Sequence, residues 1–290
     1  LIGFDALIGS VDSAKINKCR FSMPDKNTRC GFAIRLLTDF LKMRSRDSFV
    51  NVIKNCDISD NEFDGDYFWN HVELAGGGTK LNDVSRNKFT GSGLTAVDFD
   101  KGCNYNTASF NTVENWTFPT NQVSNSNVRL ALFNDHGSDP NYRNIGNKMV
   151  YNTMRNIVGR NDYDTESLLS VQNVDSALFG GNIAENLNNG NNGSGIVIDN
   201  HSYNVTFANN NIKNVGLGVY SVSTLSNASN IKFIDNDTIA NRGSYVLAAI
   251  ANAKISGVVI RGGSAKLLST SLSNLRSEEH TSELQSPMFI

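Results

Sequence analysis

Two short segments carry carboxylates in a setting where they could move protons. TAVDFDK (95–101) alternates Val97 and Phe99 with Asp98 and Asp100, and NHVEL (70–74) alternates Val72 and Leu74 with Glu73. As strands of one stacked repeat, aligning Val72 with Val97 and Leu74 with Phe99, 25 residues on each time, sets Glu73 beside Asp98 and His71 beside Ala96. The alternation turns Asp98 and Asp100 away from the core. Adjacent strands run about 4.8 Å apart, so like charges this close need a cation or a shared proton, and one pKa should rise. A raised acid beside an ionised carboxylate is what glycosidic bond cleavage uses. Further along, VRLALFNDHGSDP (128–140) supplies Asp135, His136 and Asp139, with Arg129 and Tyr142 available to hold an anionic or stacked sugar. The catalytic candidates are therefore Glu73, Asp98, Asp100, Asp135 and His136. Trp69, Lys101, Trp116, Arg129 and Tyr142 are the substrate-binding candidates. No metal and no cofactor is expected. Single outward acids commonly do no more than solvate a sheet face, and a histidine in DHGSD can simply order a loop. Clustering on consecutive rungs is what favours chemistry.

The elements that would position these groups form a repeat. SALFGG (176–181), NVTFAN (204–209), NIKFID (230–235) and GVVIRG (257–262) align so that Phe179, Phe207, Phe233 and Ile260 fall 28, 26 and 27 residues apart. Asn156, Asn186, Asn214 and Asn241 recur at 30, 28 and 27, and Asn61, Asn87 and Asn111 at 26 and 24. A further register comprises GFAIRL (31–36), NHVELA (70–75), TAVDFD (95–100), SLLSVQ (167–172), GIVIDN (195–200) and GVYSVS (218–223). No segment shows helical i, i+3, i+4 spacing over ten residues; only TRCGFAIRLLTDFLKMRSRD (28–47) is ambiguous and is read as including a short helix. Units of about 27 residues with short strands and Asn/Gly turns predict an all-β fold, a single-stranded parallel β-helix solenoid with apolar columns inside. Asparagine suits both the left-handed backbone of a sharp corner and an amide ladder along the axis. The 41 residues from Asn111 to Asn152 predict an insertion leaving the solenoid, with a second at GRNDYDTES (159–167).

The recurring N-V-x-F-x-x-N-x-I-x-N-x-x-x-G-hydrophobic rung resembles the right-handed parallel β-helix of the pectin-lyase-like superfamily, over roughly residues 8–268. That resemblance implies a right-handed coil and a groove on one outward sheet face. It also implies a protein that degrades or binds polysaccharide, of the tailspike or secreted-depolymerase kind, a homotrimer if a tailspike. The polygalacturonase NTD, DD, GHG and RIK elements and the alginate epimerase DPHD are missing from the sequence. Glycoside hydrolysis is the expected activity. A non-catalytic stalk or adhesin, a carbohydrate-binding module and a polysaccharide lyase are the alternatives.

Composition sets outer limits. A net charge of −2 offers no basic field for nucleic acid, and no apolar run reaches the ~18 residues of a membrane span; neither partner is expected. Cys19, Cys30, Cys56 and Cys103 lack metal-ligand spacing and read as small buried apolar residues. The Asn-x-Ser/Thr triplets follow from the abundance of asparagine and not from glycosylation. The opening LIGFDALIGS reads as part of a longer chain, and an extracellular setting, secreted or virion-associated, is expected. RSEEHTSELQS (276–286) resembles a translated sequencing adapter, so residues 1–275 are taken as the β-helix domain and 276–290 as an artefactual tail, set aside from site arguments.

Overall fold

The computed structural model describes residues 2–6, 10–22, 30–38, 51–117, 143–159, 167–198, 201–221, 228–246, 259–261 and 276–277; for some of these, Asp66–Trp69 among them, it describes the backbone only. Every strand pairing among the described residues is parallel, and each strand pairs with its counterpart one coil away. The chain is a parallel β-helix. One narrow sheet stacks three-residue strands, from Lys15–Asn17 through Asp83–Ser85, Thr107–Ser109 and Lys148–Val150 to Lys232–Ile234 and Val259–Arg261. Only the middle residue of each strand points inward. Ile58, Val84, Ala108, Met149, Phe179, Phe207 and Phe233 therefore stack as one buried column. The rings of Phe179, Phe207 and Phe233 lie 4.9 and 5.2 Å apart, near the strand spacing itself.

Past the next corner a second face carries the column Phe63, Phe89, Val113, Met154, Ala184 and Ile212. A third face is built from Cys30–Thr38, the end of Glu62–Ala75, Thr95–Asp100, Ser167–Val171 and Ser194–Ile198. Cys30–Thr38 is thus a strand, as the shared register of GFAIRL and NHVELA predicts; the rest of the ambiguous 28–47 stretch lies outside the described residues. Its pairing with Glu62–Ala75 accounts for this: Ile34 and Leu36 pair with Val72 and Leu74 and are fully buried.

Asparagine divides its two expected roles between neighbouring positions. Asn61, Asn87, Asn111, Asn152, Asn182, Asn210 and Asn236 form one buried ladder with steps of 26, 24, 41, 30, 28 and 26 residues. The left-handed residue is the one before each: Asp60, Arg86, Phe110, Tyr151, Gly181, Asn209 and Asp235 have φ between 48° and 65°. Asn156, Asn186 and Asn214 are themselves left-handed, with φ of 56°, 58° and 51°, and join Asn241 in a second, more exposed ladder. Cys56 and Cys103 are buried as expected, but Cys19 is exposed; its backbone N–H donates to Asn61 Oδ1 at 3.0 Å, at the foot of the buried ladder.

Replacing Asn87 with Ala would strand the backbone N–H of Asn61 and the carbonyl of Ile58, partners at 3.0 and 2.8 Å. At about 1–3 kcal/mol for each buried group left unpaired, Asn87→Ala should cost about 3 kcal/mol or more. Asn214→Gly keeps a permissive residue at an exposed left-handed corner and should stay within about 1 kcal/mol. Denaturant midpoints of the two variants measure the difference; equal losses would contradict the assigned roles.

Candidate active site

On the third face, Val72, Leu74, Val97 and Phe99 alternate into the core, which leaves the residues between them on the other side of the sheet. Asp98 pairs directly with Glu73, and Glu73 with Arg35, so these three side chains form one column on successive rungs. Asp100 follows two residues along from Asp98. One oxygen from each of Glu73, Asp98 and Asp100 lies within 4.8 Å of the others.

The three acids point away from the apolar columns, yet they are not solvated as outward acids were expected to be. Glu73, Asp98 and Asp100 are only 3%, 4% and 2% exposed, because every residue of Thr95–Asp100 is buried on both faces of the sheet. Buried carboxylates need partners, and each has a separate one. Arg35 forms an ion pair with Glu73 through Nε and Oε2. Asn70 Nδ2 donates to Asp98 Oδ2 at 2.7 Å. Lys101 places Nζ 2.7 Å from Asp100 Oδ2, and its backbone N–H donates to Asp100 Oδ1 at 2.6 Å. The guanidinium of Arg35 also lies over the Phe32 ring, 4.6 Å from its centroid.

Burial raises the pKa of Glu73; Arg35 opposes that shift and Asp100 adds to it. Lys101 is held above its usual range: burial works against its charge, but the charge and hydrogen bond of Asp100 outweigh it. The Cys103 thiol is pushed well up by burial and by Asp100 and Asp98, so it is no nucleophile at neutral pH. Glu73 can therefore keep its proton beside two further carboxylates. The spacing of the cluster is also one at which a hard cation can be held by oxygen ligands, although Arg35 and Lys101 already set two positive charges against it.

Arg35 and Asn70 were missed by the sequence reading. GFAIRL and NHVELA share one register, and setting Ile34 on Val72 within it would have placed Arg35 beside Glu73. Trp116 is a correction. It is fully buried, pairs with Ile157 in the core, and donates from Nε1 to the Gly93 carbonyl at 3.1 Å, so it is no sugar platform. Left-handed Asn115, φ 52°, interrupts the strand alternation and turns the next side chain inward. Lys101 does lie at the cluster, where its partner is Asp100. For Trp69 only the backbone is described, and Arg129, Asp135, His136, Asp139 and Tyr142 lie outside the described residues.

His71, two residues from Glu73, takes no part in the cluster. It is wholly buried against Phe63, Phe89 and Trp116, with ring centroids 6.1, 5.9 and 4.5 Å away.

No protein-family model matches the chain, and no curated protein matches it. Among solved structures, the catalytic domain of a GH87 alpha-1,3-glucanase in complex with tetrasaccharides aligns at 12% identity with a TM-score of 0.38, over 96% of this chain and 64% of that one. This chain thus spans less than two thirds of the glucanase chain. A mannuronic acid specific polysaccharide family 6 lyase from human gut microbiota aligns at 10% identity with a TM-score of 0.33, over 95% of this chain and 76% of that one. Likeness at this level says nothing of activity.

Burial pushes the pKa of His71 down from 6.5 to about 3, opposed by a hydrogen bond with the Gly65 backbone. The unfolded chain binds this proton as pH falls through 6.5, while the folded chain resists until about 3. The stability it contributes is complete above pH 6.5 and is lost between 6.5 and 3, at about 1.4 kcal/mol per pH unit as an upper bound. His71→Phe should flatten the acid limb of a melting temperature–pH curve in that window. An unchanged slope would contradict the burial of a neutral imidazole.

Proposed function

We propose that this parallel β-helix degrades polysaccharide by glycoside hydrolysis at Glu73, Asp98 and Asp100. The observation that supports this most is the set of three carboxylates within 4.8 Å on adjacent rungs, in which burial raises the pKa of Glu73. Glu73 is the proton donor to the leaving oxygen; Asp98, held by Asn70, is the ionised partner that stabilises positive charge on the sugar. Asp135 and His136, with Arg129, Tyr142 and Trp69, are proposed to complete the site from the 111–152 insertion and its neighbourhood. Hydrolysis suits the cluster better than elimination, since Arg35 and Lys101, the cations beside it, are each engaged by a carboxylate. Such a protein works outside the cell, secreted or on a virion, and as a tailspike would be a homotrimer. No helix among the described residues is long and apolar enough to cross a membrane.

One observation favours a second reading. With the acids 2–4% exposed, the Arg35–Glu73 and Asn70–Asp98 pairs also serve as a clamp between rungs, as a non-catalytic stalk or binding module would need.

Reducing-end release from pectin, bacterial capsule, lipopolysaccharide, α-1,3-glucan and poly-mannuronate distinguishes the two. Hydrolysis predicts release from at least one, reduced by about 100-fold or more in Glu73→Gln and in Asp98→Asn. Unsaturated uronate ends would indicate a lyase instead. No release from any substrate would leave the stalk reading, and release unaffected by both substitutions would remove Glu73 and Asp98 as the catalytic groups.

A further inference from the structure

A second surface, on the narrow sheet, bears the marks of ligand binding. Leu81, Tyr105, Phe110 and Tyr151 are 53%, 56%, 57% and 58% exposed. All four occupy left-handed corners, with φ of 59°, 56°, 55° and 58°. Bulky side chains avoid that backbone region, where the Cβ crowds the carbonyl. On other rungs the same two corners carry small or polar residues: Ser13, Asn55, Gly146, Ser176, Asn204 and Asn230 on one side, Asp60, Gly181, Asn209 and Asp235 on the other, where Lys18 and Arg86 also stand. On consecutive rungs the chain thus places large apolar groups where they are conformationally costly and add little to the core. Strain of this kind gathers at functional positions.

The rings are also held in a defined pose. Phe110 and Tyr151 stack with centroids 5.2 Å apart and planes 15° from parallel. Beneath the tyrosines the next rung has glycine. A Cβ at Gly146 would come within 2.4 Å of the Tyr105 ring, and one at Gly181 within 2.6 Å of the Tyr151 ring. Each tyrosine therefore lies flat along its corner. Leu81 and Tyr105 make one rim, Phe110 and Tyr151 the other, and between them run Asp83, Thr107 and Lys148 at the partly exposed ends of their strands.

Flat apolar faces flanked by hydroxyl, carboxylate and ammonium groups match a pyranose ring, which has an apolar C–H face and a polar edge. The patch is too narrow and too interrupted by polar side chains for a protein interface, which buries about 800 Å² on each partner. Asp83 and neighbouring Asp57, with a net charge of −2, disfavour a phosphate backbone.

We propose that the rims Leu81/Tyr105 and Phe110/Tyr151 form a polysaccharide-binding track along the narrow sheet, separate from the carboxylate cluster. It holds the glycan without cleaving it, and does so whether or not the cluster is catalytic. Affinity electrophoresis in native gels cast with pectin, poly-mannuronate or dextran tests this without reference to turnover. The wild type should be retarded in at least one gel. Tyr105→Asn/Phe110→Asn/Tyr151→Asn, whose asparagines suit the corners, should weaken retardation at least tenfold, while Tyr105→Phe/Tyr151→Phe keeps it. If the triple variant fails to fold by circular dichroism, Phe110→Asn alone should still weaken retardation at least threefold. No retardation of the wild type in any gel, or variants retarded like the wild type, would overturn the proposal. So would light scattering that shows a dimer dissolved by the same substitutions.

Discussion

Each interior asparagine of the buried ladder, from Asn87 to Asn210, uses all of its side-chain hydrogen-bonding capacity. For Asn87, Oδ1 accepts from both the backbone N–H and Nδ2 of Asn61, each at 3.0 Å, while Nδ2 donates to the Ile58 carbonyl at 2.8 Å and to Asn111 Oδ1 at 3.0 Å. Two lone pairs and two protons are all engaged in the direction of the axis. Aspartate would bring like charges one rung apart and no donor, and serine too few groups. The interaction is buried, where an unpaired amide is costly, so it admits one register only. A slip by one residue would expose every inward side chain.

That constraint outlasts variation in coil length. Asn111 and Asn152 make the same contacts as their neighbours although 41 residues separate them, so the stack keeps its register across the longest step. The inner column continues across the same step from Ala108 to Met149. Because the register is held, residues far apart in the chain meet at strand spacing on the third face. Arg35, Glu73 and Asp98 come together for this reason alone. What the cluster adds is a local balance of charge: three carboxylates, two cations and one amide, nearly free of water. Burial there sets the proton affinity of Glu73 and makes its partners necessary.

Much of this was legible because a solenoid repeats one local problem. The spacing of Phe179, Phe207 and Phe233 reports the coil length, and the pairing of Glu73 with Asp98 follows from the apolar residues on either side of each. Three things were hidden. Alternation shows which side of a sheet a residue takes but not whether that side is covered, so the burial of Asp98 and Asp100 could not be seen. A left-handed residue inside a strand resets the alternation, and Asn115 thereby sends Trp116 into the core. The step from Arg35 to Glu73 is longer than the repeat read from the phenylalanines, so repeat spacing alone did not pair them. The asparagine corners were read correctly in kind but merged two positions, since the left-handed residue and the ladder residue are neighbours with different demands.

The most direct test of the stacked register is nuclear magnetic resonance detection of scalar couplings across the ladder hydrogen bonds, from the backbone nitrogen of one asparagine to the side-chain carbonyl carbon of the next. The structure predicts couplings from Asn61 to Asn87, Asn87 to Asn111, and Asn111 to Asn152 across the insertion. Couplings to other residues, or their absence in a folded sample, would contradict the parallel stack and with it the meeting of Glu73 and Asp98.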